Sequence, residues 1–82
     1  MIKNYRNFRI HATKNFYHVQ GQKSSDLNWE TLFTFGEREK AVHCAEYTAH
    51  RVSTTATKEI TVYNEAGYGI VTYMKGEETF RR

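Results

Sequence analysis

Cysteine occurs once, at Cys44, and proline does not occur at all. A single cysteine excludes an intrachain disulfide framework, which points to a reducing, cytoplasmic compartment for so small a domain. No run approaches the ~18 apolar residues of a membrane span. The N-terminal stretch MIKNYRNFRIHATK is polar and basic, without the apolar centre of a signal peptide, so neither export nor bilayer insertion is expected. Nucleophile-elbow, zincin, paired-cysteine zinc, P-loop and dinucleotide glycine motifs are all missing. Acids are scarce at one end. Lys3, Arg6, Arg9, Lys14 and Lys23 all precede the first acid, Asp26, while the remaining chain carries seven bases against nine acids. The net charge of +3 is therefore polarised along the sequence.

What the chain has in quantity is aromatic residues, five Phe, six Tyr and one Trp, and these supply the bulk of a core. At 39% hydrophobic and 26% charged it is too apolar for a disordered segment. Its 82 residues fit one domain, 1–82. A chain of this size buries only about 60% of its unfolded surface, so a deep catalytic cavity would compete with the core.

Two short strands are predicted between residues 5 and 20. Phe8, Ile10 and Ala12 alternate with Asn7, Arg9 and His11, and after the turn residues Thr13-Lys14-Asn15 the side chains of Tyr17 and Val19 point inward while Phe16, His18 and Gln20 point outward. Gly21 to Asn28 reads as a loop. WETLFTF predicts a third strand with Trp29, Thr31, Phe33 and Phe35 on one face. A helix follows, opened by a capping box at Thr34–Glu37 or at Gly36–Glu39, with Ala41, Val42, Ala45, Ala49 and Val52 as its small-residue face, and ended by Ser53-Thr54-Thr55. Residues 59–74 predict a hairpin turning at Asn64-Glu65-Ala66-Gly67, with Val62 opposite Ile70 and Ile60 opposite Thr72. Lys75-Gly76 is a second turn, leaving Thr79 to Arg82 as a tail or short edge strand. The expected fold class is α+β, an antiparallel sheet in the order β-β-β-α-β-β with one helix packed on one face. Phe8, Ile10, Tyr17, Val19, Trp29, Phe33, Phe35, Ala45, Ala49, Val62 and Ile70 are its expected core.

Each candidate for chemistry has a plainer reading beside it. His43 and His50 are seven residues apart on the helix, about 10 Å of rise, too far to share an ion, and a solvated face explains them better. His11 and His18 can face each other across the first hairpin, but no third ligand is in sight. Cys44, mid-helix among small apolar residues, reads as a half-buried structural thiol. No catalytic residue, metal site or cofactor is expected, and the chain is not expected to be an enzyme. The basic N-terminal hairpin interleaves cations with rings, leaving Arg6, Arg9, Lys14 and Phe16, with Tyr5 beside them, as a patch for phosphates and bases, for an acidic protein surface, or for solvent alone. Thr61, Tyr63, Val71 and Tyr73 form an expected outer face whose tyrosines suit an interface, unless the N-terminal segment or a second copy of the chain, as a homodimer, covers it. The candidate partner-binding set is thus Arg6, Arg9, Lys14, Phe16, Tyr63 and Tyr73.

From Phe16 onward, the strand, the alanine-rich helix and the hairpin EITVYNEAGYGIVTYMKGEETFR resemble small phage anti-CRISPR proteins directed at type I surveillance complexes. They also resemble a family of short bacterial proteins of unknown function. The first resemblance implies a stoichiometric viral inhibitor that works in the host cytoplasm, binds a host nucleoprotein complex and blocks access of target DNA. A nucleic-acid-binding accessory protein using the same cations on DNA or RNA is the alternative. With no metal site expected, zinc or nickel in modest excess should leave the melting temperature unchanged. A saturable rise abolished by His11→Ala or His18→Ala would overturn that expectation.

Overall fold

The computed structural model describes residues 4–23 and 27–82. Lys3 and the centre of the predicted loop, 24–26, lie outside the described residues. In chain order the elements are β1 (Tyr5–Ala12), β2 (Tyr17–Lys23), β3 (Trp29–Phe35), α1 (Arg38–Ser53), β4 (Ile60–Tyr63), β5 (Gly69–Met74) and β6 (Glu77–Arg81). The strands form one sheet in the spatial order β3-β2-β1-β4-β5-β6, and α1 packs across all six.

The α+β class is as expected, but the sheet is mixed, because β1 and β4 are parallel neighbours with Phe8 opposite Val62. After the β1-β2-β3 meander, α1 carries the chain back over the sheet and delivers β4 beside β1 in the same direction, the usual result of a helical crossover. Side-chain alternation specifies a strand's faces and not its neighbour, so the sequence pattern is silent on this. The C-terminal residues form a true edge strand, β6, after a two-residue turn in which Lys75 and Gly76 both have positive φ. β2 also runs on through Gly21 to Lys23, residues predicted as loop.

The core lies where α1 meets the central strands. Phe8, Val19, Val62 and Val71 are fully enclosed with Ala41, Ala45 and Ala49 above them. The alanines let the helix approach closely, and each large enclosed side chain contributes roughly 1.5–3 kcal/mol. Of the other expected core residues, Tyr17, Phe35 and Ile70 are half-buried and pack against this cluster, whereas Phe33 is exposed.

Neither predicted capping box forms; Glu37 is the N-cap, with no side-chain hydrogen bond. Its carboxylate lies 3.8 Å from Lys40, and the Thr34 hydroxyl is taken by His18 at 2.8 Å, so both capping groups are engaged elsewhere. At the other end the predicted mechanism operates: Ser53 and Thr54 donate their hydroxyls to the carbonyls of His50 and Arg51. Ser53 Oγ also accepts from the Gly76 amide, and His50 Nε2 donates to the Gly76 carbonyl, fastening the helix end to the β5–β6 turn.

Two bulges correct the predicted faces. In β3, Thr31 pairs with Gln20 but Phe33 with Val19, so Leu32 is extra. Trp29 and Thr31 therefore lie on the face away from α1, while Phe33 and Phe35 follow Val19 and Tyr17 to the helix face. In the second hairpin Val62 pairs with Val71 and Ile60 with Tyr73, one residue from the predicted register. This puts Val71 and Tyr73 inside, and Tyr73 is buried with its ring edge-on to His50.

One close approach tests the packing. Gly21 is buried beneath the Tyr5 ring, and a Cβ there would lie 2.7 Å from Tyr5 Cδ1. Gly21→Ala should destabilise the fold by about 1–3 kcal/mol through overpacking, read from the denaturation midpoint. An unchanged midpoint would show that the ring does not lie over the glycine.

Candidate functional site

With one helix on one side, the opposite face of the sheet is uncovered by any helix or strand among the described residues. Strand registers decide what it carries. Asn7 is opposite Gln22, Arg9 opposite Gln20 and His11 opposite His18. Gln22 in turn faces Trp29, Gln20 faces Thr31, and Arg9 has Tyr63 beside it on β4. Across β3, β2, β1 and β4 this face holds no carboxylate.

At its centre the Arg9 guanidinium lies 4.5 Å from the centroid of the Trp29 ring, a cation–π contact, and its Nε donates to Gln20 Oε1 at 2.8 Å. Gln20 passes its own amide hydrogen to Thr31. A parallel chain runs from Asn7 Nδ2 to Gln22 Oε1 at 3.0 Å and from Gln22 Nε2 to the Leu27 carbonyl. Both glutamines are thereby fixed in orientation. The Arg9 side chain is held by its contacts with Trp29 and Gln20, with its two terminal amino groups unengaged among the described residues.

Toward the β1–β2 turn, His11 and His18 face each other as predicted, with ring centroids 6.3 Å apart. His18 is held by Thr34 at 2.8 Å and Thr13 at 3.1 Å, and Phe16 lies 6.3 Å from it, centroid to centroid. Among the described residues, no group of three or more His, Cys, Asp or Glu side chains comes together as a metal site. Nor is any helix there long and apolar enough to cross a membrane.

The sequence-predicted partner residues fall in three places. Arg9 and Tyr63 are neighbours on the open face, with Phe16 and the exposed Lys14 at its turn end. Arg6 is the extra residue of a bulge in β1, with no acidic partner among the described residues. Tyr73 lies under the helix and is no part of this surface, and Tyr5 is likewise buried, its ring in the core and its hydroxyl donated to Glu30. Trp29, Asn7, Gln20 and Gln22 were missed. The polar alternation of β1 and β2 signals a solvent face holding the amides, but Trp29 reaches it only through the β3 bulge.

A cleft of about 320 Å³ opens on this face, floored by Asn7, Arg9 and Gln22 and walled by Trp29 on one side and by Tyr63 and the β4–β5 turn on the other. That turn is stiff: Asn64 Oδ1 accepts from the amides of Ala66 and Tyr68, and Gly67 has φ of +90°. Its carboxylate, Glu65, is gripped by Arg38 through two hydrogen bonds of 2.6 and 3.0 Å. A second hollow, about 600 Å³, lies between α1 and β3 beside Phe33, Tyr47 and Val52. Cys44 borders it, and burial pushes that thiol's pKa up, away from the reactive thiolate.

No protein-family model matches the chain, and comparison with curated proteins and with solved structures finds no match.

The Arg38 hydrogen bonds hold the Glu65 carboxyl below the usual glutamate range. Such a group stabilises the fold above its unfolded value, about 4.3, and loses that contribution as pH falls through its lower folded value. Because both side chains are partly exposed, Glu65→Gln should cost no more than about 1 kcal/mol at pH 7. The gap between variant and parent should close as the pH drops below 4. A gap that persists in acid would mean that the loss is not electrostatic.

Proposed function

We propose that this protein is a non-enzymatic binding module, a small phage-type inhibitor that docks on a host nucleoprotein complex through the open face of its sheet and blocks its action. The observation that carries this reading is the Arg9–Trp29 pair, with Arg9 held by Gln20, on a face where the strands present no carboxylate and whose bordering Glu65 is already paired with Arg38. A guanidinium held by a ring and a hydrogen bond has already given up freedom that binding would otherwise cost it. The surrounding amides and imidazoles offer hydrogen bonds in fixed directions. Arg6 and Lys14 add charge without acidic partners among the described residues, whereas Arg38 is paired with Glu65 and Arg81 with Glu46 and Glu78. The charge of Arg6, Arg9 and Lys14 is thus left to a partner, whereas Lys23 of the same segment is held by Glu30. The resemblance of the helix-and-hairpin portion to inhibitors of type I surveillance complexes supplies the target class. Direct use of the same face on nucleic acid, as an accessory protein, is the second reading, favoured by the free amino groups of Arg9.

The test uses a purified type I surveillance complex with its guide RNA, assayed for capture by the protein and for binding of target DNA. The parent protein should be captured and should block DNA binding near stoichiometric amounts, more weakly as salt rises. Reversal of Arg6, Arg9 and Lys14 to Glu should abolish both effects while the melting temperature stays close to the parent's. Reversal of Glu37 and Glu39, exposed at the start of α1, is the control and should change little. Inhibition surviving the triple reversal would remove the open face from the reading.

A further inference from the structure

We infer that the cleft between Trp29 and the β4–β5 turn takes one unpaired guanine base of a single-stranded nucleic acid. The inference rests on the docking reading above and names the group in the nucleoprotein target that the open face recognises.

The cleft's hydrogen-bonding groups define the ligand. Arg9 spends Nε on Gln20 and keeps its two terminal amino groups, a planar pair of donors. Asn7 spends Nδ2 on Gln22 and so keeps Oδ1, an acceptor, on the same floor. A fork of donors near an acceptor calls for a planar ligand with two adjacent acceptors on one edge and donors on another. Guanine has both: O6 and N7 suit an arginine fork, and N1–H and the 2-amino group suit an acceptor. Adenine presents an amino group where the fork needs an oxygen, and the two oxygens of thymine are separated by N3–H; cytosine pairs O2 with N3 but carries its amino donor on that same edge, not on another.

Charge and size agree. The carboxylate bordering the cleft, Glu65, is neutralised by Arg38, leaving Arg9 as the uncompensated charge. A lone carboxylate from a protein partner would satisfy the fork but has no hydrogen to give Asn7, and it would leave most of a 320 Å³ cleft unfilled. That volume lies at the small end of ligand pockets and suits one base with part of its sugar. The rings of Trp29 and Tyr63 flank the space, as aromatic side chains do where unstacked bases are held. No hydrogen bond engages the Tyr63 hydroxyl among the described residues, so it is available to the sugar or phosphate.

Trp29 is the sole tryptophan of the chain and borders the cleft, so its fluorescence reports occupancy. The full chain is titrated with heptamers of thymidine carrying guanine, adenine, cytosine, thymine or 7-deazaguanine at the centre, and in parallel with the uridine-based ribonucleotide series. Central guanine should bind roughly tenfold more tightly than adenine, cytosine or thymine, the size of discrimination that one bidentate arginine contact provides. The advantage should vanish with 7-deazaguanine, which lacks one of the two acceptors. Arg9→Lys keeps the charge and loses the fork, so it should bind all oligomers alike while melting as the parent does. A guanine preference in either series supports the site. Equal affinities in both series, or a preference that survives Arg9→Lys, would overturn it. Should no oligomer bind while the surveillance complex is still captured, the base site is wrong and the docking reading stands. Guanine preference without capture removes the docking reading and keeps the base site.

Discussion

Close approach of the alanine face of α1 to β1 and β4 is the contact on which the remaining architecture depends. Ala41, Ala45 and Ala49 place almost nothing between helix and sheet, so Phe8, Val62 and Val71 are sealed directly beneath the helix backbone. A larger side chain at any of the three positions would lift the helix off both central strands. Because α1 is the single helix among the described residues, this seal exists on one side only. The residues on the reverse of the same strands must then tolerate water, and Asn7, Arg9 and His11 do so by being polar while Phe8 and Ile10 are not.

That asymmetry turns a packing solution into a recognition surface. Long polar side chains on an open sheet would ordinarily sample many rotamers, but here they bond in two rows across the strands, Arg9 to Gln20 to Thr31 and Asn7 to Gln22 to the Leu27 carbonyl. Each row begins in β1 and ends at or beside β3, so backbone register fixes side-chain direction. The carboxylates of β3 and of the β4–β5 turn are turned to structural uses, Glu65 to Arg38 and Glu30 to Tyr5 and Lys23. Neither is left to cancel Arg9.

Much of this was legible in the sequence. The alternation in β1 and β2 placed Phe8, Ile10 and Val19 inside and His11 opposite His18, because a regular strand has only two faces. The small-residue face of α1 was equally plain. What could not be read was wherever alternation breaks. Leu32 in β3 and Ile70 in β5 are the extra residues of bulges, and nothing in WETLFTF or YGIVTYM announces which residue is skipped. One skipped residue moved Trp29 out of the expected core onto the open face, and another moved Tyr73 out of the expected interface into the core. The candidate site was thus half visible: Arg9 and Tyr63 from the charge and ring pattern, Trp29 and the amide rows only from the fold.

The parallel pairing of β1 with β4 bears on how the chain reaches this state at all. Asn7 must meet Thr61, so the central seam of the sheet joins segments separated by well over half the polypeptide. During synthesis the β1-β2-β3 meander emerges long before its missing neighbour, with one long side of β1 unpaired and its apolar face uncovered until α1 follows. Closure of the seam is therefore a late event governed by loop entropy, and the interval before it is when the nascent chain is most open to pairing with another copy of itself. The strand that organises the finished molecule is the one that waits longest for its second partner.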